Sequence, residues 1–315
     1  MKTVKGLHEK MGTFENANTS FHQAARCKRY TNEVLAFSMV KEEELLRATE
    51  EIQNLTYRQG EYKIFKVFEP KERLIMALPF YDRVVQHMIC NAIQPVFENG
   101  FYYHSYACRS GKGMHAASDT LYQWMYETEV KQGLRMYAFK GDISKHFASI
   151  PHDKLKDENR RYIGDKKALM LMDDIIDHNG ILPDGVGIPV GNLTSQLFAD
   201  DLEQLKEWVK RIEEFLENEM LLHINPKSTI LYAGNGIDFC GYIHYADHKK
   251  VRKSSIRKLK QDVKAYELGE LPPEEFNRKY ESRKGHLGHA DTYHIAKAVE
   301  YELLFYEWER LEATA

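Results

Sequence analysis

Helical and strand-like periods alternate along the chain and mark out its elements before any chemistry is considered. Lys41–Gln53 carries an amphipathic pattern that predicts a helix, and a strand-like run, Tyr62–Phe68, follows and stops at Glu69-Pro70. Leu74–Leu78, ending at Pro79, predicts a second strand, so the two form a hairpin. Over Tyr81–Gln94 the apolar residues Val84, Val85, Met88, Ile89, Ala92 and Ile93 recur at helical spacing, with Asp82 as the start signal and Pro95 as the stop.

An aromatic and glycine loop, Gly100–Gly113, leads into a predicted helix over Met114–Gln132. Met136–Ile143 alternates as a strand with Asp142 near its end, Lys154–Asn179 is predicted helical, and Gly180–Gly191 is a glycine-rich loop. Helical character resumes at Leu193, and Asp200-Asp201 interrupt or recap it. Ile224–Tyr232 and Ile237–Tyr245 read as strands joined by a hairpin turn of Ala233-Gly234-Asn235-Gly236. Val251–Leu268, Pro273–Tyr280 and Ile295–Leu311 make the last part helical. Antiparallel strands mixed with helices, closed by an all-helical end, predict an α+β fold. The segments are 1–60, helical, then 61–135, 136–246 and a helical 247–315.

With 315 residues, 43% of them hydrophobic, the chain can bury a sizeable core in two or three subdomains. No apolar run approaches a membrane span, and residues 1–10 lack the apolar stretch of a signal peptide, so a cytoplasmic protein is expected. Cys27, Cys90, Cys108 and Cys240 are too scattered for a zinc site or a disulfide framework and are expected to be reduced and buried.

The net charge of −3 hides a strong polarity. Lys249, Lys250, Arg252, Lys253, Arg257, Lys258 and Lys260 form a basic run with no acidic residue, whereas Asp200–Glu219 sets eight acidic residues against three basic ones. The acidic stretch reads as a solvated helix face; the basic one is either another such face or a nucleic-acid contact.

Two strings carry most of the chemistry. Phe139-Lys140-Gly141-Asp142-Ile143-Ser144-Lys145-His146-Phe147-Ala148-Ser149-Ile150 ends a strand on a carboxylate, and Gly187-Ile188-Pro189-Val190-Gly191-Asn192-Leu193-Thr194-Ser195-Gln196-Leu197-Phe198-Ala199 is a glycine and serine segment. An aspartate after a strand is by itself more often a turn or cap. Together the strings resemble the reverse transcriptases, which implies a right-hand polymerase with fingers at 61–135, palm at 136–246 and thumb at 247–315. The resemblance makes Asp142 a catalytic, metal-binding carboxylate for Mg²⁺, with Mn²⁺ as a substitute, in two-ion phosphoryl transfer. Phe147 matches the bulky residue that excludes a ribose 2′-hydroxyl, although an aromatic at such a turn is otherwise core packing.

Further strings agree. Lys71-Glu72-Arg73-Leu74-Ile75-Met76-Ala77-Leu78 and Ser105-Tyr106-Ala107-Cys108-Arg109-Ser110-Gly111-Lys112-Gly113 resemble fingers motifs, so Arg73, Arg109 and Lys112 become contacts to the incoming deoxynucleoside triphosphate, with Val190, Gly191, Ser195 and Gln196. Leu222-His223-Ile224-Asn225-Pro226-Lys227-Ser228-Thr229 looks like the motif whose lysine acts as an acid near pyrophosphate, which nominates Lys227; Ile237-Asp238-Phe239-Cys240-Gly241-Tyr242 resembles a primer grip. Val190 and Gln196, and the thumb strings Val251–Ile256 and Lys284–Thr292, are similar to diversity-generating retroelement enzymes. That likeness, running from about Lys63 to His294, implies an RNA template and primer, a cDNA product, errors opposite adenine and a small basic accessory protein.

The family's Tyr-x-Asp-Asp hairpin is missing between Ala199 and Asp200. Met172-Asp173-Asp174 copies its letters inside a helical pattern, and Asp200-Asp201 with Glu203 reads as a helix cap. One metal-binding carboxylate therefore remains, and synthesis is expected to be abolished or crippled. The rival reading is a non-catalytic module that binds nucleic acid or the accessory protein. His286, His289 and His294 with Asp291 could suggest a metal site, but a glycine loop between helices explains them without one.

Overall fold

The apolar stripe of Val84, Val85, Met88, Ile89 and Ile93 does build a helix, and the first part of the chain packs around it. A computed structural model describes residues 3–68, 72–178, 180–189 and 209–314. Helices α1 (Leu7–Met11), α2 (Phe14–Ala24), α3 (Asn32–Met39) and α4 (Lys41–Gln53) come first. They are followed by β1 (Lys63–Phe68), β2 (Glu72–Ala77), α5 (Phe80–Glu98), α6 (Met114–Met125) and β3 (Tyr137–Lys140). Next are α7 (His146–Ser149), α8 (His152–Tyr162), α9 (Lys166–Asp177) and α10 (Val209–Asn218). The last elements are β4 (Thr229–Tyr232), β5 (Ile237–Phe239), β6 (Tyr242–His244), β7 (Lys249–Val251), α11 (Lys253–Glu267), α12 (Pro273–Leu287) and α13 (Tyr293–Thr314). Helices with small antiparallel sheets make the α+β class expected.

The chain divides into two units, each assembled from separate stretches: unit 1 is 1–108 with 141–227, and unit 2 is 109–140 with 228–315. In unit 1 the side chains of α5 are buried together with α1, α2, α4 and, from far along the sequence, Leu171, Met172, Ile175 and Ile176 of α9. Pro95 does not stop α5, which continues to Glu98. Phe97, two residues on and fully buried, gives that extra turn a core partner, and its packing outweighs the hydrogen bond that proline cannot donate. Asp82 is not a cap but a buried carboxylate that accepts from Tyr57 Oη at 2.8 Å and from the Gly60 amide at 3.1 Å.

The helix predicted over 154–179 is two helices. Val4 pairs with Ile163, and the Gly164 amide donates to Val4 O at 2.8 Å, so an N-terminal strand of one bridge holds the break. A side chain at Gly164 would collide with Thr3. Asp165 then restarts the chain as the cap of α9, accepting from the amides of Lys167 and Ala168, and also from His8 at 3.0 Å. Burial works against its ionised form, but these backbone donors prevail and hold the carboxyl below its ordinary range.

Among the described residues, the strands form three small antiparallel sheets, β1-β2, β3-β4 and β5-β6-β7. The hairpin expected across residues 233–236 is not there. That segment is a single 3₁₀ turn, and the strand before it, β4, pairs with β3. The tight hairpin lies six residues later, where Cys240 (φ 48°) and Gly241 (φ 88°) supply the two left-handed positions of a two-residue loop between the paired Phe239 and Tyr242. Unit 2 has its own core of Tyr242, Val251, Leu259, Val263, Phe276, Leu287 and Val299. The four cysteines form no disulfide, but only Cys90 is buried; Cys27 and Cys108 sit in exposed left-handed turns outside the core. Among the described residues no helix is long and apolar enough to cross a membrane.

Because Tyr57 and Asp82 are both buried, Tyr57→Phe leaves a carboxylate oxygen short of a donor. Chemical denaturation followed by far-UV circular dichroism is expected to show a loss of about 1–3 kcal/mol. Tyr30→Phe, at a ring 92% exposed, is expected to change nothing.

Candidate functional site

Asp142 lies two residues beyond β3, in a segment that turns sharply into α7 through Lys145, whose φ of 49° is left-handed. Residues 142–144 run antiparallel to 223–225. The Asn225 amide donates to Asp142 O at 2.7 Å, the Ser144 amide donates to His223 O at 2.9 Å, and Ile143 bridges to Ile224 between them. The exposed carboxylate of Asp142 accepts from Asn225 Nδ2 at 3.2 Å. Asn225 Oδ1 in turn accepts from the Lys227 amide at 3.0 Å, an Asx turn that fixes the exposed Lys227. The strand-end aspartate and the lysine loop, 83 residues apart for the bonded pair, thus share one short ladder.

The start of the glycine and serine segment comes to the same place. Gly187 N donates to Ile150 O at 2.7 Å and Ile188 N to Phe147 O at 2.8 Å. Gly187 has φ 86°, and a Cβ there would lie 3.0 Å from Ala148 O, so the close approach requires glycine. His152, itself buried, clamps this crossing through Nε2 to Gly187 O at 2.7 Å. Phe147 is half-buried against the unit 1 core, which agrees with its packing role. Val190, Gly191, Ser195, Gln196, the join at Ala199/Asp200 and the Asp200-Asp201 pair lie outside the described residues.

Sequence reasoning missed His146. It stands next to Phe147 with a buried Nδ1 that has no hydrogen-bond partner; burial pulls its pKa down and nearby Asp142 opposes that. The only sequence signal was its place four residues after the aspartate. Asp173 and Asp174 are on α9, paired with Arg160 at 2.5 Å and Arg58 at 3.6 Å, and Met172 before them is fully buried. Among the described residues no group of three or more His, Cys, Asp or Glu side chains could hold a metal ion. Two-ion chemistry needs several converging oxygen ligands, so the described residues do not fit such a centre.

Arg73 is exposed on β2, in register with Val67, and is not joined to the Asp142 ladder by any bond described. Arg109 and Lys112 belong to unit 2, in a turn closed by Lys112 N to Arg109 O at 3.2 Å, with Gly111 and Gly113 both at positive φ.

The basic run divides into two roles. Lys249 is paired with Asp119 at 2.5 Å, Arg252 with Asp238 at 2.5 Å, and Lys250 lies over the Tyr245 ring at 4.9 Å. Lys253, Arg257 and Lys260 are exposed on α11. Spacings of four and three residues put them on one stripe, which Lys264, outside the predicted run, extends by four more. The stripe is about 16 Å long at 1.5 Å per residue. Lys258 is exposed on a neighbouring face.

A second cluster in unit 2 gathers the histidines. Tyr242, fully buried, places its hydroxyl 3.1 Å from His115 Nδ1, 3.0 Å from His286 Nδ1 and 2.9 Å from His286 O. Burial pushes that hydroxyl up to about 12. Burial, and then the other imidazoles, lower His115 and His286 below the ordinary histidine value. Asp291 and Thr292 are loop fasteners: Asp291 Oδ2 accepts from the Lys249 amide at 2.8 Å, and Thr292 Oγ1 donates to Leu287 O.

No protein-family model matches the chain. It is similar to Protein YkfC of Escherichia coli (strain K12), with 27% identity over 125 residues, 38% of this chain and 32% of YkfC. It is also similar to the uncharacterized 91 kDa protein in cob intron of Schizosaccharomyces pombe, with 28% identity over 189 residues, 56% of this chain and 21% of that protein. The chain therefore spans about a third and a fifth of the length of these relatives. A chain of the solved "Partial Cas6-RT-Cas1--Cas2 complex" superimposes with a TM-score of 0.43 at 15% identity, covering 83% of this chain and 42% of that one. At that score the likeness defines no fold, and the architecture rests on the elements described above.

Two predictions follow from these geometries. Replacing Lys253, Arg257, Lys260 and Lys264 together by alanine is expected to lower the slope of log affinity for nucleic acid against log salt by about three, since each phosphate contact carries roughly 0.7–0.9. Replacing Lys249 and Arg252, already paired, is expected to change it much less. For the histidines, a folded pKa below the ordinary value of about 6.5 means stability present above that pH and lost as pH falls through the folded value. NMR titration of His115 and His286 ring protons is expected to give midpoints below 6.5 or so; midpoints at or above it refute the assignment.

Proposed function

We propose that this chain is a reverse transcriptase-like nucleic-acid-binding protein of the diversity-generating type, related by descent to enzymes that copy an RNA template into cDNA. One observation carries the reading: the strand-end Asp142, the Asn225–Lys227 loop and the entry to the glycine and serine segment at Gly187-Ile188, picked out separately along the sequence, are hydrogen-bonded to one stretch, 142–150. Such convergence is what a polymerase site asks of those strings, and it supports the reading. In this reading Asp142 and Lys227 hold the places of the related enzymes' catalytic carboxylate and acid, Phe147 that of the residue beside the sugar, and Arg73 that of a triphosphate contact. The stripe on α11 tracks template and primer phosphates, and a small basic accessory protein is the protein partner.

Polymerisation itself is expected to be at background with Mg²⁺ or Mn²⁺. Asp142 is the only carboxylate whose surroundings match a metal-binding motif, and the Tyr-x-Asp-Asp string that supplies two more is missing from the sequence. Loss of metal stabilisation at both the attacking and leaving oxygens forfeits several kcal/mol, and about 1.36 kcal/mol is tenfold in rate. The second reading, a binding module without catalysis, is favoured by the same absence together with the intact stripe.

Primer extension on an RNA template tests this directly. No cDNA above background, with salt-dependent binding of the same primer–template, is the expected result. Template-dependent synthesis that vanishes in Asp142→Ala and also in Asp200→Ala or Asp201→Ala shows instead that the shortened chain supplies its metal ligands from residues 200–201.

A further inference from the structure

The histidines of Lys284–Thr292 take no part in the reading above, yet they line a cleft. Within unit 2, Met114 and His115 of α6, Ser255 and Leu259 of α11, the last turns of α12 from Glu281 to Leu287 except Lys284, and His289 just beyond it enclose about 550 Å³, a size in the range of small-molecule sites. Its most ordered feature is a pair of parallel rings: His115 and His289 stack with centroids 3.7 Å apart and planes 14° from parallel. Below them a second pair, Tyr242 and His286, stacks at 4.5 Å and 25°. The Tyr242 hydroxyl locks the inner rings in place through both Nδ1 atoms.

The chemistry of the lining selects the occupant. Met114, Leu259 and Leu287 give apolar walls, and Ser255 and Ser282 give neutral polar groups. The cleft is not an anion trap: Arg283 is already bound to Asp262 at 2.5 Å, and Glu281 adds a negative charge. What fits is a flat, uncharged heteroaromatic ring with hydrogen-bonding edges. The rings facing it suit that partner, because His115 and His286 are held toward their neutral forms. Lys258, exposed and three residues from Ser255, is its neighbour on the helix surface.

We propose that this cleft holds an unpaired nucleobase of a single-stranded nucleic acid, stacked against the His115–His289 ring pair. A base buried in a duplex has no free face to offer, so the site reads strandedness rather than sequence. It lies on the side of α11 away from the stripe of Lys253, Arg257, Lys260 and Lys264, since Ser255 and Leu259 fall roughly opposite those residues at 100° per position. The proposal rests on the nucleic-acid reading of the chain but not on its polymerase chemistry.

The test uses the full chain and fluorescence anisotropy with labelled oligoadenylate of about twelve nucleotides, in ribo and deoxy forms, beside an abasic strand of equal length and charge. Wild type is expected to prefer the base-bearing strand in at least one sugar form. His289→Ala is expected to weaken that binding about tenfold or more, the usual cost of losing one stacked base, and His289→Phe to restore it. His289 is exposed, and equal thermal melts of the variants remove misfolding as a cause. Equal affinity for the abasic strand, or unchanged binding in His289→Ala, overturns the stacking site. If those results come with binding that still falls in the α11 stripe variant, the nucleic-acid reading survives; if no strand binds at low salt, that reading fails as well.

Discussion

Burial of α5 is the constraint on which unit 1 depends. Val84, Val85, Met88, Ile89, Ile93 and Phe97 are all fully buried, so helices from both stretches of the unit must cover them. Such a helix also carries polar groups inward, and each needs a partner. Tyr57 answers Asp82, Gln59 answers Gln86, and Asn16 reaches Met88 O and Asn91. The same covering sets α9 in place, and with it α8 and the crossing of Gly187 over α7. The ladder at Asp142 is thus held by a core whose central helix, α5, starts at Phe80.

What was legible in the sequence were features set by local rules. α4 has the bounds its period predicts, and β1 and β2 form the expected hairpin, its second strand falling between Pro70 and Pro79 in the sequence. Elements that depend on distant partners were misread. Pro95 is a stop signal only where nothing beyond it is buried, and Phe97 is. The break at Ile163-Gly164 is dictated by Val4, a partner some 160 residues away that no periodicity reveals. The hairpin turn was placed at Gly234-Asn235-Gly236 because those letters favour turns. The pairing instead follows the buried side chains of β6, and Cys240-Gly241 accepts the left-handed geometry.

At the candidate site strings far apart in the sequence come together. Asp142 and Phe147 lie in one stretch of unit 1, to which the Asn225–Lys227 loop and Gly187-Ile188 are hydrogen-bonded, although how Asp142 is bonded to Asn225 was not readable from the letters. Charge was less legible. A count of basic residues treats Lys249 and Lys253 alike, whereas the structure gives one to Asp119 and leaves the other on an exposed stripe. The histidine motif shows the same limit from the other side. Its letters suggested ligands, and the fold turns two of its rings into stacked plates.

The threading of the two units bears on how the chain can fold. Unit 2 takes residues 109–140 early and the remainder only from 228 onward, while unit 1 closes around the stretch in between. During synthesis the α6 and β3 stretch emerges well before β4 and the helices that complete its unit, so its apolar side chains, Met125 among them, wait uncovered while unit 1 is made. No single cut divides the chain into two self-sufficient pieces. Completing unit 2 therefore requires contacts across the whole of residues 141–227, with the loop-closure cost that such contacts carry.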